Sequence, residues 1–178
     1  MKERSMPDDA AGLIVPEPEA ERFVTDLVKR ILRLAVDSEG PLDVSLGRMR
    51  DIFGLEFTLG EKGRIYWGTH IDEHFGCTVS SFTYADGERT ITVSIQEADP
   101  TRCGVRALVV DPDSAAVSAM LGDAGFAETA LYGSHGARAG FEYRRGEYEV
   151  TTFIVGESDY NVPHKCVRMV SLAWRPTT

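Results

Sequence analysis

The stretch His70-Ile71-Asp72-Glu73-His74 matches H-x-x-E-H, the zinc-binding pattern of the inverted zincin proteases. On a helix, positions i and i+4 put both imidazoles on one face, where His70 and His74 can share a metal. Glu73 would then act as base for the bound water. A third ligand is needed downstream, and Glu147 or Glu149 are the candidates along the chain. The flanks favour a plainer reading. Gly68 and Gly76 bracket the motif and leave barely two helical turns, which predicts a short polar turn between strands.

A second metal set would join His74, Cys77, His164 and Cys166, as H-x-x-C and H-x-C pairs meeting across a sheet. No paired C-x-x-C supports it. A cysteine nucleophile would need a base nearby in space, and Cys77 beside His70 or His74, with Asp72, supplies those residue types. The simpler reading makes Cys77, Cys103 and Cys166 small apolar residues in or beside strands. Gly133-Ser134-His135-Gly136 lacks the spacing of a nucleophile elbow, and neither G-x-x-x-x-G-K-[ST] nor G-x-G-x-x-G occurs. The expectation is no cofactor and no catalytic residue, with His70 and His74 as the alternative metal ligands.

The elements that must position these residues can be read from periodicity. Over 19–37, Ala20, Val24, Leu27, Val28, Ile31 and Ala35 recur at helical spacing. Acids at its start and bases towards its end suit the helix dipole. A second helix is predicted over 45–53, with Ser45 as N-cap and Gly54 as stop. A third is predicted to open at Asp111 as cap and Pro112 in the first turn, with Val117, Met120, Leu121 and Ala124 as its apolar stripe. Alternation by two marks strands over 55–59, 64–67, 77–84, 89–95, 141–144, 148–155 and 167–174, and 105–110 reads as a buried strand. Asp86-Gly87 and Arg145-Gly146-Glu147 read as hairpin turns. The predicted class is α+β: a mainly antiparallel sheet built of hairpins, with a long N-terminal amphipathic helix and two shorter helices packed against it. Residues 1–18 read as a flexible arm and 19–178 as a single domain, with no internal repeat.

The chain has 178 residues, 28 acidic and 19 basic side chains, and a formal net charge of −9. No run of about 18 apolar residues is present, which predicts no membrane span. Such acidity argues against direct nucleic-acid binding, because phosphate contact needs a basic face. The first residues carry no apolar stretch after their charges, and the cysteine count is odd. Both predict a cytoplasmic protein with reduced thiols.

The acids cluster. Asp8, Asp9, Glu17, Glu19 and Glu21 crowd the N-terminal part, Asp111, Asp113 and Asp123 surround the third helix, and Glu157 and Asp159 lie in a late polar loop over 156–163. A surface of this sign attracts a basic protein and speeds encounter with it. Tyr66, Trp67, Tyr132 and Tyr160 would supply aromatic anchors. In size and charge the chain resembles the small acidic immunity proteins that neutralise bacterial toxins. That resemblance implies an inhibitor that covers the active site of a basic toxin domain, such as a nuclease, acting in the bacterial cytoplasm. The partner-binding set is Asp111, Asp113, Asp123, Glu157, Asp159, Tyr160, Tyr66 and Trp67. The alternatives are a metal- or cysteine-dependent enzyme using the 70–77 region and a small-molecule-binding sheet domain. The hydroxyl-rich hairpin around Thr78 to Ser94 could also pair edge to edge in a homodimer.

Overall fold

A computed structural model describes residues 18–71, 73, 75–97, 110–134, 136, 138–155 and 166–177. The expected arm, the strand over 105–110 and the loop over 156–163 fall wholly or largely outside them. The first helix, α1 (Pro18–Asp37), buries Val24, Leu27, Val28, Ile31 and Leu32 as one stripe. Its second, α2 (Leu46–Phe53), is bounded by local chemistry. The Ser45 hydroxyl accepts from the Arg48 N–H at 3.3 Å. Gly54, at φ 68°, closes the other end with its N–H donating to the Arg50 carbonyl. The third, α3 (Ser114–Asp123), corrects the expected cap. Its N-cap is Asp113, whose carboxylate accepts from the Ala116 N–H at 2.9 Å. Asp111 and Pro112 precede the helix and lie outside it. Pro112 fixes φ and offers no N–H, so the side chain after it takes the capping position. No helix among the described residues is long and apolar enough to cross a membrane.

Eight strands form one antiparallel sheet: β1 (Thr58–Leu59), β2 (Ile65–His70), β3 (Phe75–Thr83), β4 (Arg89–Glu97), β5 (Ala127–Tyr132), β6 (Arg138–Arg145), β7 (Tyr148–Val155) and β8 (Cys166–Trp174). Their spatial order is β1-β2-β3-β4-β8-β7-β6-β5. The architecture is therefore α+β with an antiparallel sheet. Two helix-then-meander halves, α1–α2–β1–β2–β3–β4 and α3–β5–β6–β7–β8, meet where β4 pairs antiparallel with β8. Chain order repeats although the residues do not, which is why sequence comparison within the chain shows no repeat. Only Thr58 and Leu59 of the expected strand over 55–59 pair. Phe57 turns into the core instead, against Phe53 with ring centroids 6.2 Å apart.

All three helices lie on one face. The side chains at Phe75, Cys77, Val79, Ile91, Val93, Val150, Val170 and Leu172 alternate towards them and are buried. The other face carries Thr78, Ser80, Thr90, Thr92, Ser94, Thr151 and Ser171, all half-buried by their neighbours within the sheet. Both expected hairpin turns form, with Gly87 at φ 87° and Gly146 at φ 57°, a backbone region open to glycine at little cost. The hairpin of β3 and β4 is interior, between β2 and β8. Its edges are already paired, and the expected edge-to-edge dimer through it cannot form.

One side chain binds the helical layer to the sheet. Arg145, at the end of β6, donates to the carbonyls of Ala35, Val36 and Ser38, at 3.0, 3.2 and 3.0 Å, and to that of Ala124 at 3.1 Å. These are the exposed C-terminal carbonyls of α1 and the cap of α3, and α1 has no basic residue in its own last turn. The guanidinium lies over Phe126 at 4.5 Å and near Tyr148 at 5.8 Å.

Two stability predictions follow from these contacts. Arg145→Lys keeps the charge but loses the planar fork. Urea unfolding should show a loss of about 2–3 kcal/mol, and an unchanged midpoint would disprove the role of the fork. At Gly140 a Cβ would stand 1.8 Å from the Thr152 carbonyl oxygen, which is backbone and cannot swing away. Gly140→Ala should cost about 2–3 kcal/mol by the same measurement, and a thermal midpoint equal to the parent would refute the close approach.

Candidate partner-binding surface

The described residues of the 70–77 region belong to two antiparallel paired strands. His70 is the last residue of β2, β3 begins at Phe75, and the Ile71 N–H donates to the Phe75 carbonyl at 2.8 Å. The helical i, i+4 geometry of the zincin pattern is therefore not present. His74 lies outside the described residues. The proposed third ligands stand at the far end of the sheet. His70 pairs with Gly76 at one end, whereas Tyr148, beside Glu147 and Glu149, pairs with Trp174 at the other. Among the described residues no group of three or more His, Cys, Asp or Glu could hold a metal. His164 also falls outside them.

Cys77 is closed off from solvent. It is fully buried on the helix-covered face, while its neighbour in register, Gly76, pairs with the exposed His70 on the opposite pleat. Burial pushes the thiol from its ordinary 9.0 up to about 12. A group held neutral by the fold stabilises it fully below its unfolded pKa. That contribution is lost as pH rises from about 9 towards 12. Burial pushes Tyr143 and Tyr148 up as well, so they act in the same direction.

The expected partner-binding residues divide between the two faces. Tyr66 stands on the uncovered face, 47% exposed. Trp67, one residue on, points the other way and packs on Phe23 with centroids 5.7 Å apart. Half-buried there, it lies against the helical layer, as the strand's period of two requires. Asp111, Asp113 and Asp123 belong to the helical layer. Asp111 pairs with Lys29 at 3.0 Å, and its N–H donates to Thr25 Oγ1. Asp113 is engaged as the α3 cap. Asp123 ends α3 and is exposed. Glu157, Asp159 and Tyr160 lie outside the described residues. The structure places Asp111 and Asp113 at the start of α3 and Asp123 at its end, about 15 Å along the helix, with Tyr66 on the other face of the sheet.

Two further features were not legible in advance. The first is β5, an edge strand next to α3, whose Tyr132 is 63% exposed. Glu128 and Asp123 add carboxylates at its start. No Lys, Arg or His occurs between Val110 and Ser134, and the cations that reach this stretch come from other elements: Lys29 pairs with Asp111, and Arg144 stands opposite Ala127 in the β5–β6 ladder. The absence of any base over that stretch is the one signal in the sequence that marks it. The second is a chain of charges on the uncovered face. Arg144 bridges Glu142 and Glu149 at 2.8 and 3.0 Å, and Arg175 bridges Glu149 and Glu88 at 3.1 Å each. These three acids share two guanidiniums, which offset most of their charge where they stand. The uncovered face is consequently hydroxyl-rich and aromatic, with Phe82 edge-on to Tyr84 at 4.8 Å and Phe153 half-exposed.

A groove of about 400 Å³ between α1 and α2 is lined by Lys29, Arg30, Arg33 and Arg48 with Asp26 and Asp37. Arg30 donates to Asp26 at 2.6 Å and to the Ile52 carbonyl at 2.9 Å. This is a charged seam, with Leu34 and Ile52 as its apolar residues.

The burial of Cys77 gives a direct test. A thiol reagent at pH 8 should leave it unlabelled in the native chain and label it fully in urea. The fall in stability between pH 9 and 12 should be shallower in Cys77→Ala than in the parent. Rapid native labelling at this position would overturn the assignment.

Comparison with protein-family models, with curated proteins and with solved structures finds no match to this chain.

Proposed function

We propose that this chain is a binding protein that inhibits a basic partner, in the manner of an immunity protein neutralising a bacterial toxin in the cytoplasm. The observation that carries the reading is the acidic corner around α3 and β5. Residues 110–134 hold Asp111, Asp113, Asp123 and Glu128 and no cation, on a chain of net charge −9. A cleft that binds nucleic acid is lined with Lys and Arg, and a surface of this kind complements it. Inhibition would be steric and electrostatic: carboxylates covering the partner's cationic active site, with exposed aromatics filling its pockets. Tyr132 stands on the same corner. A nuclease domain is the partner class that best matches this chemistry.

The test is co-expression. Genes beside this one are expressed in a tolerant host, each alone and then with this chain. The expected result is that one neighbour arrests growth alone, and that this chain restores growth and co-purifies with it. Association should slow about tenfold as salt rises from 0.05 to about 0.5 M, because steering between opposite charges is screened. If no neighbour is toxic and nothing co-purifies, the inhibitor reading fails.

A further inference from the structure

We propose that the partner docks by strand addition, laying an extended segment that bears Lys or Arg at alternate positions along the open edge of β5. This rests on the reading of the partner as basic. The two edges of the sheet differ. At one edge β1 spans only Thr58–Leu59 and runs into a tight turn over Glu61–Gly63. There the Gly60 N–H donates to the Arg64 carbonyl, and Lys62 and Arg64 supply positive charge. That edge is too short to template a strand and repels a basic one.

The other edge is β5, six residues long, paired among the described residues with β6 alone; its ladder is regular over Ala127–Leu131 and shifts register between Leu131 and Tyr132. A strand used on one side only presents alternate N–H and C=O groups outward, and a second strand can satisfy them. The sequence Ala127-Glu128-Thr129-Ala130-Leu131-Tyr132 contains neither Pro nor Lys, the residues that commonly block an edge.

The register sets the chemistry of the incoming segment. Glu128 pairs with Tyr143, whose hydroxyl meets Ser118 Oγ of α3 at 2.8 Å, so Glu128 projects on the helical side. Asp123, at the end of α3, precedes the start of β5. Thr129 and Leu131 project on the uncovered side. A segment added here would meet carboxylates on one of its faces and Thr129 and Leu131 on the other. Alternating cationic and apolar residues fit that pattern.

The experiment uses the full chain labelled with nitrogen-15 and three synthetic nine-residue peptides. One alternates Lys and Val, one alternates Glu and Val, and one is the Lys-Val peptide with Pro at every other Val. The expected result is amide shifts and slowed exchange centred on Ala127–Tyr132 with the Lys-Val peptide. The Glu and Pro peptides should bind at least tenfold more weakly, as should the Lys-Val peptide to Asp123→Lys and to Glu128→Lys. Using both variants covers the case in which loss of the Glu128 contact to Tyr143 disturbs the fold. Shifts confined to the uncovered face or to the α1–α2 groove, equal binding of the Pro peptide, or no binding of the Lys-Val peptide at about 1 mM would each overturn the proposal. Growth rescue that persists while β5 binds nothing would remove the docking mode and leave the inhibitor reading standing. Binding at β5 without any toxic neighbour would retain the edge site and remove the toxin as its partner.

Discussion

One guanidinium ties the ends of two helices to the sheet over which their apolar faces pack. A helix end leaves its last carbonyls without partners, and burying such groups unpaired is costly. In α1 these carbonyls approach the sheet where no base of the helix itself can reach them. Arg145 reaches them from the end of β6 and, with the same group, holds the Ala124 carbonyl at the end of α3. One side chain therefore serves two helices from the two halves of the chain. Its five donors in a rigid plane are what such a junction requires, and Phe126 stacks against it. Tyr148, just across the turn, donates to the Gly40 carbonyl and extends the same tie. Arg89 repeats the device in the other half, donating to the Leu42 carbonyl at 2.9 Å while lying over Trp174.

With the helices secured to one face, the rest of the molecule's character follows. The sheet is asymmetric: apolar under the helices, hydroxyl-rich opposite them. Ser and Thr suit the uncovered face because they tolerate half-burial by pairing locally, as Thr92 and Ser171 do at 3.0 Å. The few acids on that face are bound in the chain from Glu142 through Arg144, Glu149 and Arg175 to Glu88. Exposed ion pairs of this kind add little stability, but they cancel the local field. Charge on the helical layer between α1 and α2 is mixed for the same reason. Around α3 and β5 the chain supplies no base of its own between Val110 and Ser134, and Lys29 of α1 reaches Asp111.

That distribution separates two questions that net charge alone merges. A value of −9 describes attraction at a distance, but it does not locate it. Location depends on which acids have found partners. Asp111 and Asp113 look alike in the chain, yet one pairs with Lys29 and the other caps α3. Asp123 and Glu128 remain as the exposed acids at the start of the edge strand.

The local part of this structure was legible in the amino-acid sequence. The α2 caps at Ser45 and Gly54, the turns at Gly87 and Gly146, and the alternation of β3 and β4 all arise from interactions within a few residues of chain. The sequence therefore determined them by itself, and with them the α+β class. The nonlocal part was not legible. The meeting of β4 with β8, the interior position of the β3–β4 hairpin and the opposite-end placement of His70 and Glu147 depend on pairing between distant segments. Strand β5 was missed because Ala-Glu-Thr-Ala-Leu-Tyr has little alternation of its own, and β6 supplies the ladder that makes it a strand. The roles of Arg145, Cys77 and Trp67 were hidden for the same reason. A residue's type and spacing state what it can bond, but only the tertiary structure decides what stands within reach and whether water is excluded there.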